Sequence, residues 1–382
     1  MSETNRSTKE ILYEYFMTYW CGDDAENRNL VKKWNAEISD EAKALHDECI
    51  IIDGCSFNIE TYNWQLQEGR PTALNMTIPM VHDPSASGWH TRLTDVLHAV
   101  TSDPDHFMHI LTTDDIEEAK RTGKVGLIMG AQTCDFIRSG DIESSVFIYH
   151  RLGLRIMQIA YHTRSFAADG CDSGTNVGIT NQGRQMIRAM EKFGITVDLA
   201  HVGERSTLEA MEMAEKPMIF SHTNPLKMFN HIRNITDEQA KKCAATGGLV
   251  GSSSFAPILW DGENFPTVDR LVDSIVYFAD LCGIDHVGFG LDYNAEPGAY
   301  LRRNARSIAE AFFGPNAPDN TLYDLGYKQG RGKASVFTEG MYGIANCPKL
   351  VDTMLKRGFS HEDVKKVMGG NFLRVFKETW AK

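Results

Sequence analysis

The stretch from Thr196 to His222 decides the fold; it reads TVDLAH, then VGERSTLEAMEMAEKP, then MIFSH. Two short apolar runs each end in a histidine, His201 and His222. Between them Leu208, Met211 and Met213 recur among charged residues at helical spacing, and Pro217 ends that segment. The pattern is strand, helix, strand. Parallel strands joined by a helical crossover present their C-terminal ends on one edge of the sheet. Two imidazoles on neighbouring strand ends can therefore reach one metal ion.

Working outward, the same unit repeats. Apolar runs at 49–54, 72–83, 124–132, 155–161, 249–255 and 286–292 join the two of the opening stretch to make eight strands. Helical patterns separate them, at 139–153, 236–248 and 268–283 among others. Residues 92–122 also read as helical. Eight strands alternating with helices predict a single (β/α)₈ TIM barrel over 49–382. Residues 1–48 read as a helical extension packed on it and closing its bottom. The Gly-, Asn- and Pro-rich segment 293–345 reads as a long loop over the strand ends, bringing Tyr300 and Tyr327. An open doubly wound sheet is the rival, but the chain has no GxGxxG after the first strand and no GxxxxGK[ST]. Nucleotide binding is excluded on that ground.

Composition narrows the partners. The 382 residues carry a formal net charge of −12, which disfavours nucleic acid or an anionic membrane surface. Eight scattered cysteines without a CxxC pair point to reduced thiols and a cytoplasmic setting. The polar start MSETNRSTKE lacks an apolar signal core, and no run approaches the ~20 residues of a membrane span. A small-molecule substrate is expected, and a homodimer is left open.

Active sites of such barrels lie at the C-terminal strand ends. Read in order, these ends bring Asp53 and Cys55, His82 and Asp83, Gln132, Tyr161 with His162, His201, His222, Ser252 to Ser254, and Asp292. The serines and His82 can simply terminate strands, and Asp53 can bond backbone amides in an Asp-Gly turn. Asp292 ends an apolar run opposite the histidines, where a carboxylate can take a proton from an attacking water or ligate a metal.

The motifs VDLAHVGERS, IFSH, HIRN, VGFGLD and GGNFLRVF together resemble the membrane (renal) dipeptidase family of zinc hydrolases. That resemblance covers roughly residues 49–380 and implies an amidohydrolase-like barrel with a pair of zinc ions that hydrolyses small dipeptides and related amides. By position, it makes His201 and His222 zinc ligands, Asp292 the acid beside the attacking water, and Arg233 the holder of the substrate carboxylate. Arg164, in the loop after the fourth strand, is a second substrate-binding candidate.

The departures from the family pattern are equally specific. The first strand of the family ends in Asp-Gly-His-x-Asp, whereas this chain reads DGCSF, placing Cys55 and Phe57 at the two ligand positions. The bridging glutamate corresponds to Gln132, and a further histidine to Tyr161, with His162 one residue on. Two divalent ions ~3.5 Å apart repel by roughly 19 kcal/mol at an effective dielectric of ~20. Without the glutamate and aspartate that offset this repulsion, one ion is expected: zinc, or another divalent metal. Its candidate ligands are His201, His222, Gln132 and Cys55, with Asp292, Tyr161 and His162 as catalytic candidates. The function so implied is a metal-dependent, dipeptidase-like hydrolase cleaving an amide-like bond in a small carboxylate-bearing substrate. The alternatives are a lyase or decarboxylase on the same barrel, and a metal-free homologue without catalysis.

Overall fold

The computed structural model describes residues 25–57, 61–78, 84–261, 264, 266–294 and 338–380. The N-terminal apolar face at 11–19, His82, Asp83, and Tyr300 and Tyr327 of the long loop lie outside them.

Ten strands form one parallel sheet: β1 (Ile52–Phe57), β2 (Ala73–Thr77), β3 (Phe107–Ile110), β4 (Val125–Ala131), β5 (Leu154–Gln158), β6 (Thr196–Asp198), β7 (Ile219–Thr223), β8 (Leu249–Ser253), β9 (Val287–Gly290) and β10 (Tyr293–Asn294). Their order is β10-β1-β2-β4-β5-β6-β7-β8-β9, with β3 beside β4. All the pairings are parallel. The wall closes where the chain beyond β9 meets β1. Leu291 N donates to Asp53 Oδ1 at 2.8 Å, and Asp292 N donates to Cys55 O at 3.1 Å. Eight of the strands are those legible as apolar runs, and they make a (β/α)₈ barrel.

One stretch departs from the sequence reading. Residues 92–122 are not continuously helical: helix Ala86–Ser102 is followed by β3 and then by helix Thr113–Thr122. β3 is only FMHI, with its two middle residues half-buried. Four residues between charged neighbours carry too little alternation to betray a strand. The Thr112 capping box, closed by Asp115, starts the helix that follows.

The bottom of the barrel is closed by the C-terminal helix Asn371–Thr379 rather than by the described N-terminal helices, Ala25–Asn35 and Asp40–Glu48. Phe372, Phe376 and Trp380 pack with Ile52, Ala73, Ile156, Ile219 and Leu249, which lie at or near the N-terminal ends of their strands. Trp380 Nε1 donates to Thr196 Oγ1 at 3.0 Å, tying the helix to the start of β6. Burying each of these aromatic rings contributes on the order of 2–3 kcal/mol. The helices Ala25–Asn35 and Asp40–Glu48 instead lie against helix Cys347–Lys356, where Ser39 N and Oγ donate to Asp352 at 3.1 and 3.0 Å.

Candidate active site and metal centre

The opening strand–helix–strand unit is β6, helix Glu204–Glu212 and β7. β6 ends at Asp198, three residues before His201, and the intervening turn puts His201 at φ 66°. Asp292, two residues beyond β9, stands at φ 54°. Three described non-glycine residues have such left-handed backbones, and two of them are these site residues. Such conformations persist where surrounding structure holds them, and they gather at functional sites.

His201 and His222 converge as the sequence predicts, with Nε2 to Nε2 at 2.9 Å. Both are buried. A glycine shell lets β7 come this close: a Cβ on Gly54 of β1 or Gly290 of β9 would stand 2.3 or 2.2 Å from the Ser221 carbonyl oxygen. Behind His222 the hydrogen bonds have a direction. Asp198, buried, accepts from Ser221 N and Ala200 N at 3.0 Å, from Gln158 Nε2 at 3.0 Å and from Ser221 Oγ at 2.6 Å. With its proton given to Asp198, Ser221 Oγ accepts from His222 Nδ1 at 2.8 Å. His222 therefore presents a lone pair on Nε2, the tautomer a metal ligand needs. Burial first, and the Arg233 guanidinium second, hold both imidazoles well below their usual pKa, so both are neutral.

On the other side of the pocket stand the substituted positions. Cys55, His222 and Asp292 offer ligand atoms within 4.8 Å of one another. Cys55 Sγ donates to Asp292 Oδ1 at 3.7 Å and accepts from Gln132 Nε2 at 3.3 Å. Gln132 Nε2 also donates to Thr77 Oγ1 at 2.9 Å, while its buried Oε1 has no hydrogen-bond partner. Phe57 is buried in β1. Burial raises the Cys55 thiol well above its usual value and lifts Asp292 to about 6, although Arg233 pulls Asp292 back down. Asp53 bonds Cys55 N, Leu291 N and Ser56 Oγ. It staples the barrel closure by bonding backbone amides, as expected, but from within β1 rather than from an Asp-Gly turn.

Tyr161 and His162 both reach the site. The Tyr161 ring stacks on His162 and His201, with centroids 4.2 and 4.0 Å apart. Burial keeps its phenol protonated, and burial lowers His162 to about 3. Arg233 is buried and donates to His222 O at 3.2 Å. Among the described residues no carboxylate lies within 4.0 Å of its guanidinium in an ion pair. Arg164 differs: it pairs with the buried Asp169, which also accepts from Thr175 Oγ1, Val177 N and Gly178 N. The hydroxyls of Ser252, Ser253 and Ser254 are engaged with Ser274 Oγ, Phe255 N and the Leu291 carbonyl.

Sequence reasoning missed Asp198, Ser221 and Cys171. An aspartate inside the apolar run TVDLAH is a signal for the first. Cys171 lies in the Gly- and Asp-rich loop, and only the fold brings it to His162 and His201.

Cys55, His222 and Asp292, with ligand atoms within 4.8 Å of one another, fit one cation, and His201 reaches that group only through His222. Gln132 and Phe57 offer no carboxylate at the positions where the family resemblance expects acids.

The family model described as membrane dipeptidase, peptidase family M19, matches residues 82–301 and 332–381. The chain belongs to the membrane dipeptidase family. Dipeptidase tcpJ of Claviceps purpurea (strain 20.1) is 28% identical over 268 residues, which make up 69% of this chain and 53% of that protein. This chain thus spans about half the length of that relative. An amidohydrolase from Pseudomonas aeruginosa superposes with TM-score 0.76 at 28% identity, covering 89% of this chain and 99% of the other. Two further structures share the fold at 16% identity. A metallo peptidase from Rhodobacter sphaeroides liganded with a phosphinate mimic of the dipeptide L-Ala-D-Ala has TM-score 0.69, over 87% of this chain and 99% of its own. The probable dipeptidase PvdM from Pseudomonas aeruginosa has TM-score 0.73, over 92% and 98%. Despite the family's name, no helix among the described residues is long and apolar enough to cross a membrane.

Proposed function

We propose that this protein is a metal-dependent hydrolase of dipeptidase type, working with one divalent ion and cleaving the amide bond of a small substrate with a free carboxylate. The observation that carries the reading is Arg233: a buried guanidinium with no carboxylate ion-pair partner among the described residues, beside neutral histidines and Asp292. A buried charge is costly unless paired, and a substrate carboxylate completes the pair bidentately.

His222 and Asp292 would hold the ion, with Cys55 within reach of both and His201 and the Gln132 oxygen at its edge. The mix of nitrogen, oxygen and sulfur donors suits zinc. Bound there, the ion would supply Lewis acidity at the scissile carbonyl and activate water. Asp292 takes the proton of the attacking water and passes it to the leaving amine. Asp198 and Ser221 keep the His222 lone pair aimed into the pocket. Arg233 fixes the substrate's C-terminal end, and Tyr161 and His162 wall the site opposite Asp292. Arg164, committed to Asp169, anchors the loop that carries His162. The described cysteines are all free, in keeping with a reducing compartment such as the cytoplasm.

The test is metal analysis of protein purified without chelator, paired with hydrolysis of dipeptides that differ only in a free or amidated C-terminus. About one ion per chain, activity lost on chelation and restored by zinc, and a strong preference for the free carboxylate are expected. Chelator-resistant turnover, or equal rates on both substrates, would sink the proposal.

A further inference from the structure

His201 has a second nitrogen, and the hydrogen bonds already described determine its state. Asp198 takes the Ser221 hydroxyl proton, so Ser221 Oγ accepts from His222 Nδ1. His222 Nε2 is then a lone pair, and the 2.9 Å bond to it must be donated by His201 Nε2. A neutral imidazole carries one proton. Nδ1 of His201 is consequently a lone pair too. It is buried and has no hydrogen-bond partner.

Around that ring lies a second donor group. His162, Cys171 and His201 each offer a ligand atom, all within 4.8 Å of one another. A tetrahedral site with bonds of about 2.0–2.3 Å has edges of roughly 3.3–3.8 Å, so a small contraction closes it. The loop is built to hold Cys171 here. Cys171 N donates to the His201 carbonyl at 2.7 Å, and Asp172 N donates to the His162 carbonyl at 2.7 Å. Gly170 makes the approach feasible, since a Cβ there would stand 2.1 Å from the Tyr161 carbonyl oxygen. Asp169 clamps the rest of the loop through Arg164, Thr175, Val177 and Gly178.

We propose that His162, Cys171 and Nδ1 of His201 form a seat for a single soft, thiolate-preferring divalent cation, and that this seat excludes occupancy of the hydrolytic one. On binding, the Cys171 thiol releases its proton to solvent, and the thiolate charge offsets the neighbouring Arg233 guanidinium. The exclusion follows from geometry. The two ligand groups meet where His201 Nε2 and His222 Nε2 stand 2.9 Å apart. Two divalent ions on either side of that contact, with no acid of either group between them, repel strongly. The same chain thus takes a hydrolytic ion or a soft ion, and the soft ion inhibits. The seat itself stands without the hydrolytic reading; only the exclusion rests on it.

Cadmium is the probe. The full chain, stripped with chelator and desalted, is titrated with cadmium chloride while thiolate-to-cadmium charge transfer is followed in the near ultraviolet. One equivalent should develop the band in the parent and in Cys55→Ser. Cys171→Ser should lose it, and His162→Gln should weaken binding about 10-fold or more, with far-ultraviolet circular dichroism unchanged in both. Asp292→Asn should lose hydrolysis and keep the band, so that failure of the catalytic reading shows separately. Zinc-loaded protein should release its zinc as cadmium enters. No band in the parent, or a band lost with Cys55 and kept without Cys171, would overturn the seat. Zinc and cadmium bound together, two ions per chain, would overturn the exclusion.

Discussion

The two halves of the pocket have kept different things. At the ends of β6 and β7 both histidines that the family resemblance expects are present, and this complete side has Asp198 and Ser221 to aim the His222 lone pair. At the ends of β1 and β4, Cys55, Phe57 and Gln132 occupy the positions where the family resemblance expects a histidine, an aspartate and a glutamate. Yet that second half has not collapsed. Gln132 bridges Cys55 and Thr77, and Cys55 bonds Asp292. Where the resemblance expects ionic ligands, this chain has a neutral hydrogen-bonded wall. The difference teaches that the two sides are separable: the histidines and their hydrogen-bonded support stand without the acids that the family resemblance expects opposite them.

The sharpest way to break this contrast is to truncate one residue from each half. His222→Ala removes a ligand of the complete side and should cost more than about 100-fold in kcat/KM, beyond the 10–100-fold typical of losing a ligand's supporting partner. Cys55→Ser should cost under about 10-fold. Equal losses, measured as kcat/KM on one dipeptide after zinc loading, would mean that both halves ligate the ion alike.

Arg233 belongs to the complete side through its bond to the His222 carbonyl. Lysine keeps the charge but not the fork. Arg233→Lys should raise KM for a carboxylate substrate by roughly 10–100-fold, the worth of a charge-assisted bidentate pair, with thermal stability nearly unchanged. An unaltered KM would make Arg233 a structural cation. Next in size is Ser221→Ala, which frees the His222 tautomer. Zinc affinity, measured by competition with a chelating dye, should fall about 10-fold or more. No change would show that Asp198 and Ser221 only buttress β7.

What could be read from the sequence follows what local pattern carries. The eight barrel strands show as apolar runs because both faces of a parallel sheet are covered. The pair His201 and His222 shows because each closes such a run. β3 does not show, since four residues beside β4 draw their stability from neighbours distant in sequence. Nor does the left-handed backbone of His201 and Asp292, which is imposed by packing against residue propensity. Cys171 stays hidden for the same reason: it meets His162 and His201 only through the loop's own backbone bonds. Arg164 looked available because its partner Asp169 lies in the same loop, where ion pairing cannot be read from spacing.

The smallest expected response comes from the substituted half, and it tests whether charge alone decides the ion count. Gln132→Glu adds the bridging acid but leaves Cys55 and Phe57 unchanged, so a second cation still lacks first-strand ligands. It also exchanges the amide that donates to Cys55 and Thr77 for an acceptor, at a cost unless a cation compensates. Cys55→His with Phe57→Asp restores the β1 ligands but places two cations ~3.5 Å apart without a bridge, which the repulsion of roughly 19 kcal/mol at an effective dielectric of ~20 forbids. Phe57 is also buried, and an unpaired aspartate there is penalised. Only the triple variant supplies ligands and compensating charge together. Metal content per chain, after equal exposure to zinc and desalting, should therefore stay near one in the parent and both partial variants and rise only in the triple variant. A parent that holds two ions would refute the neutral-wall reading of this half. It would require Cys55 or the free oxygen of Gln132 to ligate the second ion, or the Cys171 seat to fill alongside the hydrolytic one, which would also overturn the exclusion.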